Sequence, residues 1–286
     1  MSRRHLLSAV IAVAALAAGI ALGAGPFDEH DDSPARGRLT ATTQSSATSL
    51  DRRFVADAGA NLTRRTLRGQ RIAILRFPGA DESTASALAR RLRAAGGELT
   101  GTVTVSASAL DPARSAYVDA LTDRLQGSLR GTVNPELDTY PRFGQLLGAA
   151  YATTGATGFT DGQRTAAKTL LAGGLVTVTG GRRPATLVVA LLGGRTDGTD
   201  GNASLVGVVH GLGGVSHGVV AAAPSGSVSL AAVRAEHWGD WFASVDGVET
   251  SVGRLATVLA TARQVDRQGG NFGASGFGRL LGPEIG

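Results

Sequence analysis

Leu187-Val188-Val189-Ala190-Leu191-Leu192 is a run of six apolar residues with nothing polar between them, closed by Gly193-Gly194. A strand with one face in water alternates apolar and polar residues, whereas a strand covered on both faces reads as a continuous apolar run. Val219 to Ala223 and Trp241 to Val245 repeat the pattern, and helical spacing near 202–212, 226–235 and 252–267 fills the intervals. Strand and helix in alternation predict an α/β fold: a three-layer, mostly parallel sheet with Rossmann-like alternation and right-handed crossovers.

The upstream half fits the same plan. From Asp51 the spacing of Phe54, Val55, Ala58 and Leu62 predicts a helix ending at Gly69, followed by a strand from Arg71 to Phe77. Asp81 is placed to cap a helix over Glu82 to Ala95, whose last turns carry Arg90, Arg91 and Arg93 toward the negative end of the helix dipole. Gly96-Gly97 stops it, and Leu99 to Val105 is the next strand. Asp111-Pro112 starts another helix, with Tyr117, Val118, Leu121 and Leu125 as its buried stripe. Further helices are expected at 142–152 and 161–172, the latter closed by Gly173-Gly174.

The N-terminus carries a different signal. Behind the basic head Met1-Ser2-Arg3-Arg4-His5, the 20 residues from Leu6 to Gly25 are uncharged, and a helix of that length spans about 30 Å, the hydrocarbon thickness of a bilayer. Arg3 and Arg4 precede the span while Asp28, Glu29, Asp31 and Asp32 follow it, an orientation that leaves the rest of the chain outside the cytoplasm. We read a retained single-pass anchor in the cell membrane. The competing reading is a cleaved signal, with Ala21-Leu22-Gly23 before Ala24 as its small-residue site. The expected organisation is therefore an anchor at 1–25, a polar tether at 26–50 and one extracytoplasmic domain at 51–286.

Composition removes several chemistries. There is no cysteine, and the only methionine is Met1, so thiolate nucleophiles, disulfides and soft thioether clusters are excluded from the domain. The net charge of +5 comes from 27 Arg and one Lys spread among 23 acids; with export, this argues against a nucleic-acid partner. Gly214-Val215-Ser216-His217-Gly218 matches a nucleophile elbow, but a helical pattern precedes it and a strand follows, the reverse of the required order. The glycine-rich stretch 193–201 follows a strand and opens a helix, where open α/β sheets bind ligands, yet it has neither G-x-G-x-x-G nor the P-loop lysine. Pro224-Ser225-Gly226 and Asp246-Gly247 are expected along the same edge. Asp28-Glu29-His30-Asp31-Asp32 offers oxygen and imidazole ligands but reads equally well as a solvated flank, and His210, His217 and His237 lack a metal-ligand spacing. Ala15, Gly19 and Gly23 form a small-residue face that permits self-association of the anchor. Asn61-Leu62-Thr63 and Asn202-Ala203-Ser204 are glycosylation sequons without weight on their own. No catalytic or cofactor-binding residue is assigned, and metal ligands stay unknown.

The order of landmarks carries a resemblance. Gly19-Ile20-Ala21-Leu22-Gly23-Ala24-Gly25-Pro26 ends the anchor, and Leu67-Arg68-Gly69-Gln70-Arg71-Ile72-Ala73-Ile74-Leu75 and Ala94-Ala95-Gly96-Gly97-Glu98-Leu99-Thr100-Gly101 follow. Ser244-Val245-Asp246-Gly247, Gly253-Arg254-Leu255-Ala256-Thr257-Val258-Leu259-Ala260 and Gly270-Asn271-Phe272-Gly273 complete it. Over nearly its whole length the chain resembles the actinobacterial MctB family, named for copper transport. The resemblance implies a membrane-anchored protein of copper export or homeostasis at the cell envelope, with an envelope protein as partner. Two features depart from it. Residues 27–50 lack the apolar a and d positions of the heptad helix usual after the anchor, and no residue pattern explains copper binding. The strands are also too short and too continuously apolar for a membrane barrel, so a pore is not expected. A non-catalytic scaffold or regulator of cell-wall remodelling or division is the alternative, and an exported hydrolase would rest on Ser216 alone.

Overall fold

Five strands form where the sequence places them: β1 (Arg71–Arg76), β2 (Glu98–Val105), β4 (Leu187–Leu191), β5 (Gly218–Ala223) and β6 (Phe242–Asp246). Two more, β3 (Val176–Gly180) and β7 (Gly270–Phe272), were not expected. In the computed structural model the described residues are 57–276, apart from Arg130, Arg182, 195–197, His237 and Asp240, and the side chains of 198–201 are not described. The chain divides into two units, Met1–Leu50 and Asp51–Gly286, and the fold is that of the second. The anchor expected at 6–25, the tether at 26–50, and Phe54 and Val55 lie outside the described residues. Among the described residues no helix is long and apolar enough to cross a membrane.

The sheet runs β3-β2-β1-β4-β5-β6-β7. Every neighbouring pair is parallel except β2 with β3. Between the strands lie α1 (Glu82–Ala94), α2 (Ser115–Gln126), α3 (Thr139–Tyr151), α4 (Asp161–Ala172), α5 (Gly198–Gly213), α6 (Val228–Ala235) and α7 (Ser251–Arg263). Asp81 caps α1 as expected, accepting from Thr84 N at 2.7 Å, and Thr160 and Gln163 close a reciprocal capping box on α4. Asp111-Pro112 opens a 3-10 turn, Pro112–Arg114, before α2. The helix expected over 252–267 ends at Arg263 and tightens into the 3-10 turn Gln264–Asp266, because Arg267 turns left-handed at φ 54°.

Alternate strand residues feed two cores. Ala73, Leu75, Val103, Val105, Val188, Ala190, Val219 and Ala221 join side chains of α2 to α6, including Leu125, Phe143, Leu146, Leu170 and Val233. Ile72, Ile74, Leu187, Val189 and Leu191 face the other way, against Leu88 and Leu92 of α1 and Val258 of α7. Val220, Ala243, Val245 and Phe272 extend this second layer beneath Ala256 and Ala260 of α7. Each fully buried Val, Leu or Phe contributes about 1.5–3 kcal/mol relative to exposure, which is why both faces have to be covered. On the first face α3 and α5 touch backbone to backbone. A Cβ at Gly144 would overlap the Val208 carbonyl, and one at Gly211 would overlap that of Pro141.

Val189 is fully buried, so Val189→Asp places an unpaired carboxylate between the layers. We expect a loss of more than about 4 kcal/mol in denaturant unfolding. Val252, 58% exposed on the first turn of α7, should accept Asp within about 0.5 kcal/mol. Equal tolerance of both changes would overturn the two-faced burial of β4.

Candidate functional site

Parallel strands bring their C-terminal ends to one edge of the sheet. The strand order reverses between β1, which leads to β2 on one side, and β4, which leads to β5 on the other. In open α/β sheets that reversal makes a crevice for ligands. Here the described part of the crevice is filled by backbone. Phe77 N donates to Leu191 O at 2.9 Å, and a Cβ on Gly193 would lie 2.6 Å from the Pro78 carbonyl oxygen. The amides at the start of α1 are engaged by Asp81, whose carboxyl is lowered to about 2 by hydrogen bonds from Ser83 and Thr84. That position carries a negative charge instead of receiving one.

The edge loops converge as the sequence predicts. Ser227 Oγ donates to Gly193 O at 2.7 Å, and Val228 N donates to Gly194 O at 3.0 Å. Ser225 Oγ donates to Glu249 at 2.8 Å, and Val248 N donates to Ala223 O at 3.1 Å. The glycine carbonyls are thus occupied by the entry to α6. Residues 195–197 of the glycine-rich stretch lie outside the described residues.

Farther along the edge is a polar cluster that the sequence reading did not find. Arg234 on α6 donates through Nε to Ser244 Oγ at 2.7 Å and through Nη1 to Ser275 Oγ at 2.8 Å. Its Nη2 donates to Phe272 O at 2.6 Å and to Asp246 Oδ1 at 3.3 Å. Ser244 in turn donates to Asn271 Oδ1, while Ser275 donates through both N and Oγ to Asp246 Oδ2. Burial pushes the Asp246 carboxyl up, but the hydrogen bonds from Ser275 and the charge of Arg234 outweigh it and hold the group below its ordinary 3.8. Every nitrogen of this guanidinium is engaged. The cluster fastens β7 and the turn after it onto β6, and it offers no free acid or base. Its one sequence signal is Asp246 itself, a carboxylate ending a buried apolar strand, which has to find a partner.

The remaining candidates stay apart. Ser216 is 2% exposed and its hydroxyl donates to Leu212 O at 2.8 Å, between the end of α5 and the start of β5. That is the helix-before-strand order read from the sequence. His217 Nε2 lies 2.9 Å from Val265 O. His210 is exposed and packs on Trp238 and Trp241, with ring centroids 5.7 and 6.3 Å away. His237 and the acidic stretch 28–32 lie outside the described residues. Among the described residues no group of three or more His, Cys, Asp or Glu is placed to hold a metal ion. Copper(I) selects thiolate and thioether ligands, so the donor set of the described domain does not fit it.

The family model described as "Copper transport outer membrane protein, MctB" matches residues 1–277. No curated protein matches the chain.

The Asp246 cluster makes a signed prediction. Arg234→Met leaves a buried carboxylate without its cation and should cost about 3–5 kcal/mol. Because the folded carboxyl titrates below 3.8, its contribution is complete above that pH and is lost as pH falls through the folded value. The stability gap between the native chain and Asp246→Asn, measured by urea unfolding, should therefore be widest near neutrality and narrow below pH 3.8. A gap that widens in acid would contradict this account.

Proposed function

The chain belongs to the MctB family, and from that premise we propose that it serves copper transport at the cell envelope as an anchored, extracytoplasmic, non-catalytic accessory protein. The observation that carries this reading is the donor set. A chain with no cysteine and Met1 as its only methionine, whose described residues gather no metal-capable group, is poorly equipped to carry copper(I). The copper connection then runs through a protein partner in the envelope. Export rests on the uncharged span from Leu6 to Gly25 and the charges that flank it.

The family description speaks of an outer membrane protein. A pore reading would ask for barrel strands of about 9–11 residues with one lipid-facing side. Among the described residues the strands are three to eight residues long, in an open order whose central strands β4 and β5 are buried on both faces. That supports an accessory role over a channel.

Two measurements test the proposal. Ser225 is exposed on the edge loop after β5, and Ser225→Cys creates a unique thiol in a cysteine-free chain. A membrane-impermeant maleimide should label it in intact cells; labelling only after lysis would refute the extracytoplasmic placement. Residues 51–286 should compete with a chromophoric chelator for copper(I) no better than a His-poor control protein. Stoichiometric binding abolished by replacing His210, His217 and His237 would make the protein a direct carrier and overturn the accessory role.

A further inference from the structure

The arginines look dispersed along the sequence, but the fold gathers several of them at one place. Leu67 N donates to Ala95 O at 3.1 Å, and the backbone of Arg65 and Arg68 lies against Gly96, where a Cβ would sit 3.5 Å from each Cα. The turn at 64–69 is thereby fastened to the C-terminal end of α1. Arg64, Arg65 and Arg68 are exposed on that turn, and Arg90 is exposed on α1, with Arg91 half-buried beside it. Arg254 of α7 completes the group. Burial, then the nearby Arg91 and Arg90, lower its pKa, with Glu249 opposing. A Cβ on Gly59 would meet Leu255 of α7 and the Arg91 guanidinium, so the segment at 57–63 lies at the same place.

The helix dipole does not account for this many charges. The end of one helix presents about half a negative charge, against six guanidinium groups here. Arg142, Arg164, Arg183 and Arg234 all meet carboxylates within 4 Å; among the described residues none of the six does. Arg64 bonds the Asn61 amide oxygen, and Arg254 bonds the Val248 and Glu249 carbonyls, which are neutral acceptors. The group is a concentrated positive surface whose self-repulsion an external anion would relieve.

Its place in the chain identifies that anion. The basic face surrounds 57–69, where the domain leaves the tether. In sequence only 31 residues, 26–56, separate it from the uncharged span read as the anchor. We propose that this arginine face docks on the anionic phospholipid headgroups of the membrane that holds the anchor, guanidinium groups pairing with lipid phosphate. The proposal rests on the anchored reading given above. It orients the domain with the 57–69 side toward the bilayer.

The test uses the full chain with Ala94→Cys, an exposed position on α1, carrying a donor dye. The protein is reconstituted into vesicles of phosphatidylcholine alone or of phosphatidylcholine with phosphatidylglycerol, each with a headgroup acceptor. Energy transfer should rise in the anionic vesicles and fall with added salt. Arg64→Glu, Arg68→Glu and Arg90→Glu together should lower the docked-to-free ratio at least about hundredfold, since each arginine near an anionic surface supplies about a fivefold factor. The corresponding Lys triple should retain docking, and Arg124→Glu with Arg164→Glu, on helices of the opposite face, should leave it unchanged. Equal transfer in both vesicles, or arginine-dependent binding to a DNA duplex without lipid dependence, would overturn the proposal. Failure to float with phosphatidylcholine vesicles would overturn the anchor alone. In that case flotation with anionic vesicles still reports the basic face, and its absence there refutes docking as well.

Discussion

Burial of β4 and β5 on both faces is the constraint from which the rest of the fold follows. All residues from Leu187 to Leu192 and from Gly218 to Ala223 are buried. A strand in that position removes successive side chains from water in opposite directions, so a single layer of helices leaves half of them exposed. The chain answers with α1 and α7 on one side and α2 to α6 on the other. The small side chains of Ala221, Ala222 and Ala223 and the glycine contact between α3 and α5 follow from the same demand. Layers this close leave little room for volume.

What was legible in the sequence were features carried by local pattern. The continuous apolar runs placed β4, β5 and β6, and the cap read at Asp81 and the helix start read at 161 agree with those seen. β3 escaped because Val176-Thr177-Val178-Thr179 alternates and half of it faces solvent at the edge of the sheet, a pattern a loop after Gly173-Gly174 matches as well. β7 is three residues with one apolar side chain, Phe272, below what periodicity detects. Site features were less legible because they depend on distance in space. Arg234 and Asp246 come from different elements, and the closure of Gly193 over Pro78 joins loops that sequence spacing does not relate. The same holds for the arginines of 64–68, 90–91 and 254, whose adjacency exists only once α1, α7 and the 64–69 turn are packed.

The polarity of the molecule is one-sided. At the C-terminal edge, carbonyls and donors are consumed by one another, through Ser227 with Gly193 and through the Arg234 cluster. On the side of α1 and α7, six guanidinium groups have no carboxylate within 4 Å among the described residues. Charges satisfied internally stabilise a fold; charges left outward-facing and alike serve association. His210 and His217 follow neither pattern, since one is engaged by aromatic rings and the other by a backbone carbonyl.

The pairing of β1 with β4 has a consequence for the order of folding. Thr186 Oγ1 donates to the Arg71 carbonyl, 115 residues away in the chain, and the ladder from Ile72 with Leu187 to Arg76 with Leu191 lies at the centre of the sheet. Closing so long a loop has an entropic cost before the contacts that reward it exist. A chain emerging from its N-terminus can pair β1 with β2 early, but that pair keeps one open hydrophobic edge until β4 arrives. Nascent chains shorter than about 190 residues therefore present the unpaired edge of β1, with Ile72, Ile74 and Leu75, the state in which such a domain is most exposed to aggregation and most in need of a chaperone.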